Sequence, residues 1–167
     1  MEAETRKHIQ KVAKYLHIFS CELLKRATLH DASKLEEPEA SIFEEFTPRL
    51  KSSVYGSEEY KQMLADMKPA LDHHYAHNKH HPEYNDINGY SVQTLNDPIK
   101  SMDLFDIVEM IADWLAASKC HESGCIGKSI TINTERFKLD GQLEMLLRNT
   151  AALLESKEQR MDKGEGV

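Results

Sequence analysis

Residues 5–29, TRKHIQKVAKYLHIFSCELLKRATL, contain no glycine or proline, and Ile9, Val12, Leu16, Phe19, Leu23 and Ala27 recur at steps of three and four. That spacing lines one stripe of an amphipathic helix, so the stretch predicts a helical protein from its start. Two readings of it stay open. The first is one straight helix. The second is an antiparallel helix pair turning near Ser20, with Ser20 as N-cap and Glu22 in the new first turn.

The pattern beyond stays helical. Pro38 suits a first helical turn, and Ile42, Phe43 and Phe46 follow at helical spacing until Thr47-Pro48 is expected to stop the helix, leaving 47–57 as a loop. Ser57 before Glu58 and Glu59 reads as an N-cap for a helix through Leu64, Met67 and Leu71 toward His77, with a break near Lys68 forced by Pro69. Residues 82–98, rich in Asn, Asp, Gly and Tyr, read as a long surface loop. Asp103 and Asp140 are expected to cap helices reaching Lys119 and Glu155. The stretch 128–137 favours a strand locally at Ile130-Thr131-Ile132, but a lone strand has no partner, so it is expected to be helical. The tail from Ser156 is charged and expected to be disordered, which leaves 1–155 as one all-α domain, a bundle of about six helices.

Composition narrows the function. With Lys+Arg 21 against Asp+Glu 28 in 167 residues, the net charge of -7 argues against broad binding to nucleic acid or to an anionic membrane. No run approaches the roughly 20 apolar residues of a membrane span, so a soluble, cytoplasmic protein is expected. Three irregularly spaced cysteines fit a reducing compartment, and Cys21 is expected to be a buried apolar residue. Cys120-His121-Glu122-Ser123-Gly124-Cys125 has the outline of a zinc half-knuckle without a second pair, and otherwise reads as a loop after a helix. Tyr55-Gly56-Ser57 is too short for a phosphate loop, leaving only a helix N-terminus there for an anion. Walker, Rossmann and nucleophile-elbow patterns are absent from the sequence.

The residues that carry chemistry are imidazoles and carboxylates. His73, His74, His77, His80 and His81 crowd into nine positions, a composition suited to a divalent first-row ion. His73, His77 and His80 share one helical face, and His74, His77 and His81 a neighbouring one. His30 and Asp31 point about 100° apart if helical, so both reach one ion only where it sits over the helix end. Asp106, Glu109 and Asp113 form a carboxylate stripe, and residues 101–118 contain no Lys or Arg. A metal ion, or Lys and Arg from other helices, is expected to meet that stripe.

The run Leu29-His30-Asp31-Ala32-Ser33-Lys34, the later His-rich segment and Ile107-Val108-Glu109-Met110-Ile111-Ala112-Asp113-Trp114 together resemble the HD-domain superfamily of metal-dependent phosphohydrolases. The chain is most similar to a small HD-like group of phages and bacteria, from about His8 to Leu154. The resemblance implies an HD-like bundle with one or two divalent ions (Mn, Fe, Co, Zn or Mg). It implies His30, Asp31 and Asp113 as ligands, His8 as a candidate first histidine, and His74 with His80 or His81 for a second ion. The implied activity is hydrolysis of a nucleotide or other small phosphate ester by a metal-activated water. Lys34, Arg26 and Lys79 are candidate cations for the reaction, with Lys34, Asn78 and Lys79 candidates to hold substrate. Glu109 is a candidate to accept a proton or hold an imidazole. His8 separates the two readings of the first helix, because 22 positions of straight helix put it roughly 33 Å from His30. The competing readings are a catalytically inactive metal-binding or protein-interaction module and a metal-free bundle. The oligomeric state is open.

Overall fold

The computed structural model describes residues 2–53, 57–90, 97–120 and 124–164. The first of the two readings of residues 5–29 holds. Helix α1 runs unbroken from Glu2 to Leu29, 28 residues. Nothing in 5–29 interrupts the backbone ladder, and Ser20 donates its hydroxyl to the Leu16 carbonyl of the preceding turn (3.0 Å) instead of capping a new helix. His8 is therefore remote from His30 and does not reach the site of its own chain. Cys21 lies on the exposed side of α1, its Sγ 3.6 Å from His17 Nε2, which corrects its expected burial.

The chain leaves α1 through His30 and Asp31. Asp31 adopts a left-handed conformation (φ 53°), and a 3₁₀ turn Ala32–Leu35 follows. Asp tolerates this region better than most residues, and such a turn breaks helical spacing at the place where two neighbouring side chains must face one point.

Helix α2 (Glu39–Ser52) passes through Pro48, where a stop was expected. Proline at 48 forfeits the bond to the Glu44 carbonyl, but Glu44 lies on the exposed side, where water satisfies that oxygen. Helices α3 (Glu58–Asp66) and α4 (Lys68–His77) break at Met67, with Pro69 in the first turn of α4. Ser57 caps α3 by accepting from the Tyr60 amide, 3.1 Å. A short helix α5 (Glu83–Ile87) sits inside the expected loop. Asn85 ties it to the 3₁₀ turn Pro98–Ser101 through the Pro98 carbonyl, 3.0 Å.

Helix α6 (Leu104–Ser118) begins with a reciprocal capping box between Asp103 and Asp106. Helix α7 (Ile126–Phe137) resolves the ambiguous stretch as helix, and α8 (Gly141–Asp162) begins where Asp140 accepts from the Gln142 and Leu143 amides. The tail expected to be disordered from Ser156 instead continues α8 to Asp162. The all-α expectation is borne out, with eight α-helices among the described residues where about six were expected.

Apolar packing forms two clusters. Met110, Ile111 and Trp114 of α6 pack with Ile126, Ile130, Leu139, Leu147 and Ala151 from α7, α8 and the turn between them. Phe46, Met63 and Met67 join α2, α3 and α4. Helix α1 buries none of its residues. It touches α6 near its own C-terminal end, with Phe19 against Phe105 at 4.8 Å between ring centroids.

Candidate metal centre

The two clusters meet at a polar centre built from four places: the end of α1 (His30, Asp31), α4 (His74), the turn after it (His80, His81) and α6 (Glu109, Asp113). Asp31 stands in the middle. Its Oδ1 lies 3.4 Å from His74 Nε2 and 3.4 Å from His80 Nε2, and His74 Nε2 lies 2.8 Å from His81 Nε2. A tetrahedral ion with ligands at about 2.1 Å separates them by about 3.4 Å, so these four atoms have the spacing of a ligand set. Asp31 Oδ1 and His80 Nε2 are buried without a hydrogen-bond partner, an arrangement costing about 1–3 kcal/mol per group unless something polar meets them. An ion meets both.

The other oxygen of Asp31 faces a second group. His30 Nε2 is 3.5 Å from Asp31 Oδ2 and 3.8 Å from Asp113 Oδ1. These two sets, Asp31-His74-His80-His81 and His30-Asp31-Asp113, have the convergent donors a metal ion needs. They differ in access. The His74 and His80 side chains are 3% and 2% exposed, whereas those of His30 and Asp113 are 31% and 24% exposed.

Carboxylates behind the rings decide which nitrogen faces inward. Glu39, wholly buried, accepts from His74 Nδ1 at 2.9 Å, and Glu109 Oε1 accepts from His30 Nδ1 at 3.0 Å while lying 3.2 Å from His80 Nδ1. An ionised carboxylate only accepts, so these contacts put the proton on Nδ1 and leave Nε2 free to ligate. Glu109 can also be grouped with His30 and His80 as three ligands. Its contacts are with the Nδ1 side of both rings, opposite the Asp31 oxygens, so it orients them.

The charge states agree for the three rings of the closed set. Burial drives His81 down to about 3, with His80 and His74 adding to it, and burial likewise lowers His74 and His80, so these rings are neutral as ligation requires. His30 behaves oppositely: the Asp113 carboxylate facing its Nε2, helped by Glu109 and Asp31 against the pull of burial, holds it up at about 9. Burial works to raise Asp31 and Asp113, but Lys34 for the one and His30 for the other outweigh it and leave both below the usual carboxylate range.

The sequence candidates divide accordingly. His30, Asp31, Asp113, His74, His80 and His81 come together; His8 does not. His73 bonds Glu39 Oε1 at 2.7 Å and stacks on His77 at 4.0 Å, outside both sets. Arg26 answers the carboxylate stripe, donating to Asp106 at 2.7 Å and Glu109 at 3.1 Å, so it braces Glu109 and is not a free cation. Lys34 Nζ bonds Asp31 Oδ2 at 2.7 Å and lies over the Phe43 ring. Asn78 was expected to hold substrate, yet its amide donates to Ser33 Oγ and the His74 carbonyl, 2.8 Å each, a role in fixing the turn. Lys79 is exposed and lines a cleft of about 260 Å³ with Lys25, Arg26, His80 and Glu109.

Sequence reasoning missed Glu39. Its one signal was a carboxylate placed directly after Pro38 at a helix start, which reads equally as ordinary dipole compensation. The knuckle-like motif and the Tyr55-Gly56-Ser57 turn fall partly outside the described residues.

Residues 1–158 match a family described as a family of unknown function (DUF5662). The chain belongs to that family. Its match spans every residue of both ligand sets, together with Glu39 and Glu109. No curated protein and no solved structure matches the chain. Among the described residues no helix is long and apolar enough to cross a membrane.

Proposed function

We propose that this chain is a metal-dependent phosphohydrolase of HD-like type that cleaves a nucleotide or another small phosphate ester. One observation carries the reading: Asp31 turns one oxygen to a closed, buried ligand set and the other to an open, accessible one. Four protein donors around a buried ion describe a structural site, and three around an accessible ion leave room for water and substrate. An ion in the open set would supply Lewis acidity toward a phosphoryl oxygen and a water of lowered pKa.

The chain's own residues do the rest. His30, Asp31 and Asp113 hold the open set, and Glu109 fixes the His30 ring for it. Lys34, paired with Asp31 Oδ2, offers positive charge to a phosphate at the open set, while Lys79 lines a cleft that meets His80 and Glu109.

The test is hydrolysis of nucleoside mono-, di- and triphosphates and of p-nitrophenyl phosphate by protein loaded with Mn²⁺, beside the Asp113→Ala variant. We expect turnover that the variant loses while it keeps the ion of the closed set. Stoichiometric Mn²⁺ without turnover on any substrate would instead favour the second reading, an inactive metal-binding module, which the closed set by itself also fits.

A further inference from the structure

The molecule's largest unexplained feature is helix α1. Every residue from 2 to 21 is exposed, and Phe19 packs on Phe105 of α6, so the fully exposed residues 2–18 before it form an arm about 25 Å long. Helices of this length are marginal in water unless an apolar face is packed. The arm carries such a face: Ile9 (59% exposed), Val12 (44%) and Leu16 (62%) continue the stripe of Phe19 and Leu23, with Tyr15 at its edge. These side chains leave on the order of 100 Å² each open to water. With Phe19, Leu24 and Leu104 added, the patch supplies the greater part of the roughly 800 Å² that each partner buries in a stable complex.

We propose that a second copy of this chain covers the arm, by antiparallel pairing of the two α1 helices about a twofold axis between Phe19 and Ser20. The stripe is self-complementary in this register. Leu16 meets Leu23 of the second copy, Val12 meets its Ala27, and Ile9 meets the end of its α1 at His30. Each arm thereby lies where it would lie on its own body if the chain turned near Ser20, which is the geometry of a swapped element. The same register sets His8 of one copy beside His30 and Asp31 of the other, at the accessible ligand set that has an open position. This placement of His8 rests on the metal centre proposed above; the pairing of the arms does not.

Two measurements test these claims separately. Light scattering on the full chain should give twice the 19.2 kDa of one copy, and Leu16→Glu, at an exposed position that leaves both cores intact, should give 19.2 kDa with helical circular dichroism falling by no more than the arm's share. A wild-type protein that is monomeric at 100 µM, or a Leu16→Glu protein that stays dimeric, overturns the pairing; Ile9→Glu repeats the test should Leu16→Glu misfold. For His8, co-express His8→Ala and Asp113→Ala chains under two tags, isolate the mixed dimer and count bound Mn²⁺. One open set per mixed dimer combines His8 from one chain with Asp113 from the other, so Mn²⁺ should bind there more tightly than in either parent dimer. No gain over the parents overturns delivery of His8 between chains. A wild-type dimer that binds no Mn²⁺ at all defeats the metal reading and leaves the pairing standing.

Discussion

Glu109 holds two rings at once, which makes it a sharper probe of the centre than any single ligand. Its Oε1 serves His30 and stands by His80, and its Oε2 takes Arg26. Losing such a partner commonly costs 10- to 100-fold in metal affinity, so Glu109→Ala should weaken Mn²⁺ binding at both sets by roughly that factor, read by calorimetric titration. Glu109→Gln keeps an acceptor for the rings and should lose less. His30 gives a pH signature. In metal-free protein its pKa is raised to about 9 from 6.5, so its ion pairs stabilise the fold fully below 6.5 and that contribution is lost as pH rises through 9. Thermal melts of chelated protein should show Tm falling across that window, with His30→Asn flattening the fall. The same proton must leave before His30 ligates, so Mn²⁺ affinity at the open set should rise with pH toward 9. At this scale the His30-Asp31 pair and Asp113 were legible because their residue types and order carry the chemistry. The choice among the five clustered histidines was not: of the three on α4 only His74 joins a ligand set, and the turn holding His80 and His81 aims those rings in a way helical spacing does not describe.

The elements that aim these side chains depend on their caps. Asp140 alone accepts from two amides at the start of α8, and its replacement by Ala should cost about 1 kcal/mol, a Tm drop of a few degrees by calorimetry. The box at Asp103 does more than stabilise α6: its partner Asp106 also takes Arg26, so the cap fixes the turn that carries Glu109. Caps at Ser57, Asp103 and Asp140 were readable because each is a local pairing of a side chain with its own first turn. Pro48 misled because the cost of a missing amide depends on whether the freed carbonyl faces water, which is a tertiary fact. Helix α5 was hidden in a polar stretch whose single turn is held by Asn85 and Asn88 more than by apolar periodicity.

Across the whole molecule, two apolar clusters are joined through ionisable groups, an arrangement that makes stability depend on what occupies the centre. A ligand at 100 times its dissociation constant adds about 2.7 kcal/mol, so removing metal by chelation should lower Tm by about 5–10 °C, and adding Mn²⁺ back should restore it. The all-α class was legible from periodicity throughout. The open face of α1 was not, since a stripe announces that something covers it without saying whether that cover belongs to the same chain. The order of the ligands along the chain has a consequence for biosynthesis. Asp31, His74, His80 and His81 all precede residue 82, so the closed set is complete in sequence while α6 has yet to be made. The open set waits for Asp113, which emerges on the same helix as Glu109. On the proposed metal reading, a nascent chain has the donors of the closed set first, and α6 then brings Asp113 for the accessible set together with Glu109 behind the His30 and His80 rings.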